Sequence, residues 1–139
     1  MRRPGAQSLR AAWWTLRAIS RARRHAGLTD LAEVPLPALP PVGGGAIRGV
    51  QAVLRRRSPT CLVRALVLQR WYAGQGERRD LIVGVTSPAA GFRAHAWVEG
   101  DEADRGEGFV ELFRRSPEGA RRSTGSADGR FQSGHDRSQ

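Results

Sequence analysis

The segment CLVRALVLQRWYAG, residues 61–74, constrains this chain more than any other. Leu62, Val63, Ala65, Leu66, Val67, Leu68, Trp71 and Tyr72 leave it apolar nearly all round. A helix of that kind is stable only when other elements cover every side of it. The pattern predicts a central buried helix, ended by AGQG, with the rest of the chain arranged around it.

Two amphipathic helices are predicted upstream as covers. In SLRAAWWTLRAISRARRHAG, residues 8–27, Leu9, Trp13, Leu16 and Ile19 recur near helical spacing with arginines between them, and Gly27 is a plausible stop. AIRGVQAVLRRR, residues 46–57, places Ile47, Val50, Val53 and Leu54 on one face, with Arg48, Gln51 and Arg55 to Arg57 outside. Between them VPLPALPPVGGG, residues 34–45, reads as an extended linker. Ser58 is a good N-cap and Pro59 suits a first helical position, so the central helix is expected to open there.

After Gly76 the hydrophobic period changes. LIVGVTS, residues 81–87, is a β-type run, and SPAAG is a turn. In FRAHAWVEG the residues alternate: Phe92, Ala94, Ala96 and Val98 take one face, Arg93, His95, Trp97 and Glu99 the other. The acidic loop DEADRGEG leads to FVELFRR, a third short strand that a hairpin would lay beside the His95 strand. From Ser116 onward the chain is rich in Ser, Gly and Arg, with Phe131 its only aromatic residue, a composition expected to be disordered. The expected fold is α+β, N-terminal helices followed by a small antiparallel sheet. Its regions are a helical stretch over 1–33, the linker 34–45, a core over 46–115 and the tail 116–139.

Composition narrows the function classes. At 139 residues the chain is one small domain, and its single cysteine excludes an internal disulfide framework. No apolar run approaches the length of a membrane span, and Arg10 and Arg17 interrupt any signal-peptide core, so a cytoplasmic protein is expected. The net charge of +10 comes with no lysine at all. Such arginine bias follows from a GC-rich bacterial genome, and no recognisable module or basic-aromatic interleaving accompanies it, so nucleic acid is not an expected partner.

Chemistry is concentrated in two residues. Cys61 falls in the first turn of the central helix, where unpaired N–H groups and the dipole's positive end stabilise a thiolate. The competing reading is a small buried hydrophobe. His95, mid-strand between Ala94 and Ala96, favours the nucleophile, because a helix-start Cys and a strand His can form a thiolate–imidazolium pair. Trp97, on the histidine's face, is positioned to cover the pair and exclude water. The imidazole needs an orienting group, for which Asp101, Glu102, Asp104, Glu107 and Glu111 are candidates. Only Glu111 lies inside the third strand, so Glu111 is the preferred acid. One Cys and one suitable His fall short of a metal site, and the GGG of residues 43–45 follows no strand and precedes no Gly-Lys-Ser/Thr, so neither a metal nor a cofactor is expected.

Together these residues resemble the transglutaminase-like (papain-like) cysteine protease domain of lasso-peptide biosynthesis. The resemblance rests on Cys61-Leu62, Arg64-Ala65-Leu66, Gly84-Val85 and the run from Ala94 through His95, Ala96, Trp97 and Val98 to Glu99, in order and at compatible spacing, and covers roughly residues 46–115. It implies a leader peptidase in its split form. Cys61 would be the nucleophile and His95 the base, acting on a precursor peptide at its leader–core junction. The partners implied are a separate leader-recognition protein and a lasso cyclase. The family often has an aspartate in the strand after a short turn; this chain has a longer loop and offers Glu111, with Glu107 behind it. Two alternatives use the same fold: a transglutaminase-like acyl transferase or amidase of another peptide-modification pathway, and a non-catalytic binding subunit.

Overall fold

The structure, a computed structural model, describes residues 5–25, 35–87, 89 and 91–117. Its elements are α1 (Ala6–His25), a 3₁₀ turn (Gly44–Ala46), α2 (Ile47–Arg57), α3 (Cys61–Gly74), β1 (Leu81–Val85), β2 (Ala94–Val98) and β3 (Val110–Arg115). This is the α+β order expected, helices first and then a three-stranded antiparallel sheet. Most of the expected tail, and the Gly27 stop, lie outside the described residues. No described helix is long and apolar enough to cross a membrane.

α3 is buried on all sides, as its composition requires. Val63, Ala65, Leu66, Val67, Leu68 and Trp71 are each at most 3% exposed. Ala11, Trp14, Ala18, Ile19 and Ala22 of α1, Val50 and Leu54 of α2, and Leu81, Ala96 and Val98 of the sheet join them in one core. Trp14 and Trp71 meet at 5.8 Å between ring centroids, tilted by 49°.

The buried stripe of α1 is not the one its large residues suggest. Leu9 and Trp13 are 57% and 66% exposed, while Ala11, Trp14, Thr15, Ala18, Ile19 and Ala22 face inward. The physical reason is close helix approach. Small residues let the α1 backbone come so near α2 that a Cβ at Gly49 would lie 2.2 Å from the carbonyl oxygen of Ser8. Thr15 satisfies its buried hydroxyl within its own helix, donating to the Ala11 carbonyl at 2.7 Å.

The Pro-rich segment is extended, and it is also packed. Leu36, Leu39 and Val42 sit against the core, and the Trp14 indole N–H donates to the Pro37 carbonyl at 3.1 Å. The start of α3 differs by two residues from the sequence expectation. Ser58 closes α2 in the left-handed region (φ 43°, ψ 55°), and Thr60 is the N-cap, its hydroxyl accepting from the Val63 N–H at 3.4 Å. Pro59 explains this, because the residue before a proline is driven out of the right-handed helical region.

The strand order is β2-β1-β3, with β1 central. The expected hairpin neighbour of β2 is thus wrong: β3 pairs with β1 instead. Leu81, Val83, Ala96 and Val98 take the inner face against α3, and Ile82, Gly84, His95 and Trp97 take the outer face. β1 and β3 slip by one residue at Val83/Gly84, which pair with Phe113 and Glu111 and leave Leu112 as the extra residue of a bulge.

Gly49 supports a stability test. Gly49→Ala forces the α1–α2 crossing apart and is expected to lower unfolding free energy by about 1–3 kcal/mol, read as a lower urea midpoint. Gly45→Ala, where a Cβ meets nothing within 4 Å, should leave the midpoint near wild type.

Candidate active site

Cys61 is the first helical residue of α3, directly after the Thr60 cap. The first helical hydrogen bond runs from the Arg64 N–H to the Thr60 carbonyl at 2.9 Å, so the amides of Cys61 and Leu62 precede the helix's own ladder. No acid lies in that first turn to oppose a negative charge. The thiol is free and half-buried, with its body against the core.

His95 projects from the outer face of β2. Its ring stacks with Trp97 (5.9 Å between centroids, 19° between planes) and leans on Phe109 (4.9 Å, 32°). Its Nε2 lies 2.6 Å from Asp104 Oδ2. A carboxylate accepts, so Nε2 carries the hydrogen and Nδ1 is the basic nitrogen of the neutral ring. Asp104 is itself held: its other oxygen accepts from the Gly106 N–H at 3.2 Å, and its N–H donates to the Asp101 carbonyl at 3.3 Å. Half-burial of the pair, with side chains 25% and 23% exposed, keeps this contact partly out of water.

Asp104, not Glu111, therefore faces the imidazole. Glu111 and His95 both pair with Gly84 and stand on opposite sides of β1. Two strand spacings, roughly 10 Å, separate them. The Leu112 bulge turns Glu111 and Arg114 to one face, and Arg114 takes the carboxylate in a two-pronged grip at 2.8 and 2.9 Å. Arg114 also reaches Glu99 at 3.0 Å and Asp80 at 3.2 Å. The hydrogen bonds from Arg114 hold the Glu111 carboxyl below its ordinary range, and the three acids push the guanidinium further up. Glu107 is exposed on the loop.

Trp97 is on the histidine's face, as the alternation requires, but it is a floor and not a lid. It is 7% exposed. Gly84 and Gly106 leave room for its ring: a Cβ at Gly106 would lie 2.3 Å from the indole, and one at Gly84 2.9 Å. Gly106 also has a φ of +66°, which favours glycine. Phe109 and Gly106 are parts of the site that sequence reasoning missed; the glycine-flanked RGEGF was the one signal available.

Helix α3 packs against the inner face of the sheet and the 99–109 loop covers its outer face, so Cys61 and His95 are carried by different layers. No hydrogen bond joins the sulfur to the imidazole in this structure. Apo catalytic pairs are often open and tighten only around substrate. Among the described residues no three His, Cys, Asp or Glu side chains gather as a metal-binding group.

A family model for transglutaminase-like proteins matches residues 5–114, which take in all three helices and nearly the whole sheet. The chain belongs to the transglutaminase-like superfamily. No curated protein and no solved structure matches it. Transglutaminase-like proteins are in general cysteine peptidases or acyltransferases. A thiol, an imidazole and a carboxylate are the group types that acyl transfer through a thioester employs.

The single cysteine makes thiol alkylation a clean readout. Asp104→Asn should slow alkylation of Cys61 near neutral pH by about tenfold, the size that loss of a charge beside an ionised partner carries. Glu111→Gln should stay near wild type. Glu111 has a separate signature in stability. A depressed folded pKa contributes stability that is present above the unfolded carboxyl's titration and is lost as pH falls through the folded value. Glu111→Gln should therefore flatten the acid limb of a plot of stability against pH.

Proposed function

We propose that this transglutaminase-like protein is a cysteine peptidase that removes the leader from a lasso-peptide precursor in the cytoplasm, acting with a separate leader-recognition protein before a cyclase closes the macrolactam. The observation that carries the catalytic reading is the 2.6 Å His95–Asp104 contact on a strand that packs against the helix opening at Cys61. The motif at Cys61 and the run around His95 support the narrower assignment.

In this reading the Cys61 thiolate attacks the carbonyl of the last leader residue, and the C–N bond breaks as His95 Nδ1–H delivers its proton to the departing core amine. Water then adds to the thioester, giving its proton to Nδ1, and the leader leaves with a free carboxylate. Asp104 keeps the hydrogen on Nε2 throughout and stabilises the imidazolium. The amides of Cys61 and Leu62, ahead of the helical ladder, are suited to receive the oxyanion.

The test is mass spectrometry of a candidate precursor incubated with the protein, with and without the leader-recognition partner. Leader and core should appear as separate masses, with strong stimulation by the partner. Cys61→Ala should lower the rate by on the order of 10⁴-fold or more while leaving the fold intact. Wild-type cleavage by that variant would overturn the peptidase reading. In heavy-oxygen water, hydrolysis labels the leader carboxylate, whereas acyl transfer to an amine does not.

A further inference from the structure

The mechanism above leaves one buried acid unused. Asp101 is 8% exposed, and no other Asp or Glu among the described residues is buried. Its Oδ2 accepts from Arg64 Nη1 at 2.9 Å and its Oδ1 from the Ala103 N–H at 3.0 Å. Its own N–H donates to the Val98 carbonyl at 3.1 Å, and its carbonyl accepts from the Asp104 N–H at 3.3 Å. One residue thus fastens the end of β2, the turn that carries Asp104, and a guanidinium one helical turn beyond Cys61. A buried ion pair is a weak source of stability, because desolvation offsets its attraction, but it fixes the relative placement of the elements it joins.

We propose that the Arg64–Asp101 pair is a positioning strut that sets the gap between the Cys61 thiol and the His95 imidazole. The proposal rests on the catalytic reading of those two residues. α3 lies under the sheet and the loop lies over it, so the nucleophile and the base are held by different layers. The Arg64–Asp101 pair ties the first turn of the nucleophile's helix to the loop whose Asp104 holds the base. Neither residue touches the reacting atoms. Arginine suits the task because its planar guanidinium is pre-organised and always charged.

Alkylation of Cys61 by iodoacetamide across pH, on the full chain, tests the strut without any substrate. By charge alone, Arg64→Met and Asp101→Asn must act in opposite directions, because one removes a positive and the other a negative charge. Positioning requires the same direction. Both variants should slow alkylation near neutral pH by about tenfold, short of the hundredfold that a displacement of about 1 Å can cost. The swap Arg64→Asp/Asp101→Arg should recover most of that loss. Opposite effects of the two single variants, or unchanged profiles in variants that retain the wild-type circular dichroism spectrum, would overturn the proposal. If the single variants fail to fold, Arg64→Lys and the swap decide it. Arg64→Lys should slow alkylation about threefold by losing the fork while keeping the charge, and a wild-type profile for Arg64→Lys, or a folded swap slowed about tenfold or more, would overturn the strut. Failure of every precursor to be cleaved would count against the leader-peptidase reading and leave this result standing.

Discussion

Everything in this fold follows from the need to bury α3. A helix that is apolar on nearly every side has no face to give to water, so one flank takes α1, which α2 backs from behind, and the other takes the inner face of the sheet. The backbone polar groups of such a helix lack intrahelical partners only where its ladder stops. At its start those groups are the amides ahead of the first helical bond, and Cys61 stands among them. The same burial that gives the domain its core leaves the helix N-terminus as the place where an anion is best accommodated.

The second half of the site is assembled by stacking and not by strand pairing. Among the described residues no helix covers the outer face of the sheet, and the 99–109 loop serves as its cover. Gly106 lies flat on Trp97, Trp97 stacks with His95, and Phe109 meets both rings. This layer orients the ring before any charge is considered. Asp104 then selects which nitrogen carries the hydrogen. Packing sets the direction and one hydrogen bond sets the tautomer.

The elements whose signals are local were legible in the sequence. The apolar girth of α3, the alternation of β2 and the placement of Cys61 and His95 all depend on residues within a few positions of one another. What was not legible depends on partners distant in the chain. The inward face of α1 is chosen by how closely α2 approaches, and alanines with one tryptophan outcompete Leu9 and Trp13 once Gly49 allows that approach. Asp104 was among the candidate acids, but a presumed β2–β3 hairpin favoured Glu111. β1 separates those strands, and the loop between them crosses the sheet face where Asp104 meets His95. Ser58 was misplaced for a smaller reason, since a proline next to a good capping residue can end one helix as readily as begin the next.

The slip at Leu112 has a consequence for the molecule's behaviour in a crowded solution. β3 is an edge strand with Val110, Leu112 and Phe113 standing 63%, 67% and 48% exposed. A straight strand of that composition would be a template for another chain to add to. The bulge breaks its register and increases its twist, and Arg114 reaches back across the sheet to Asp80 and Glu99. Irregularity at the rim thus makes this apolar border a poorer template for edge-to-edge growth than a straight strand would be.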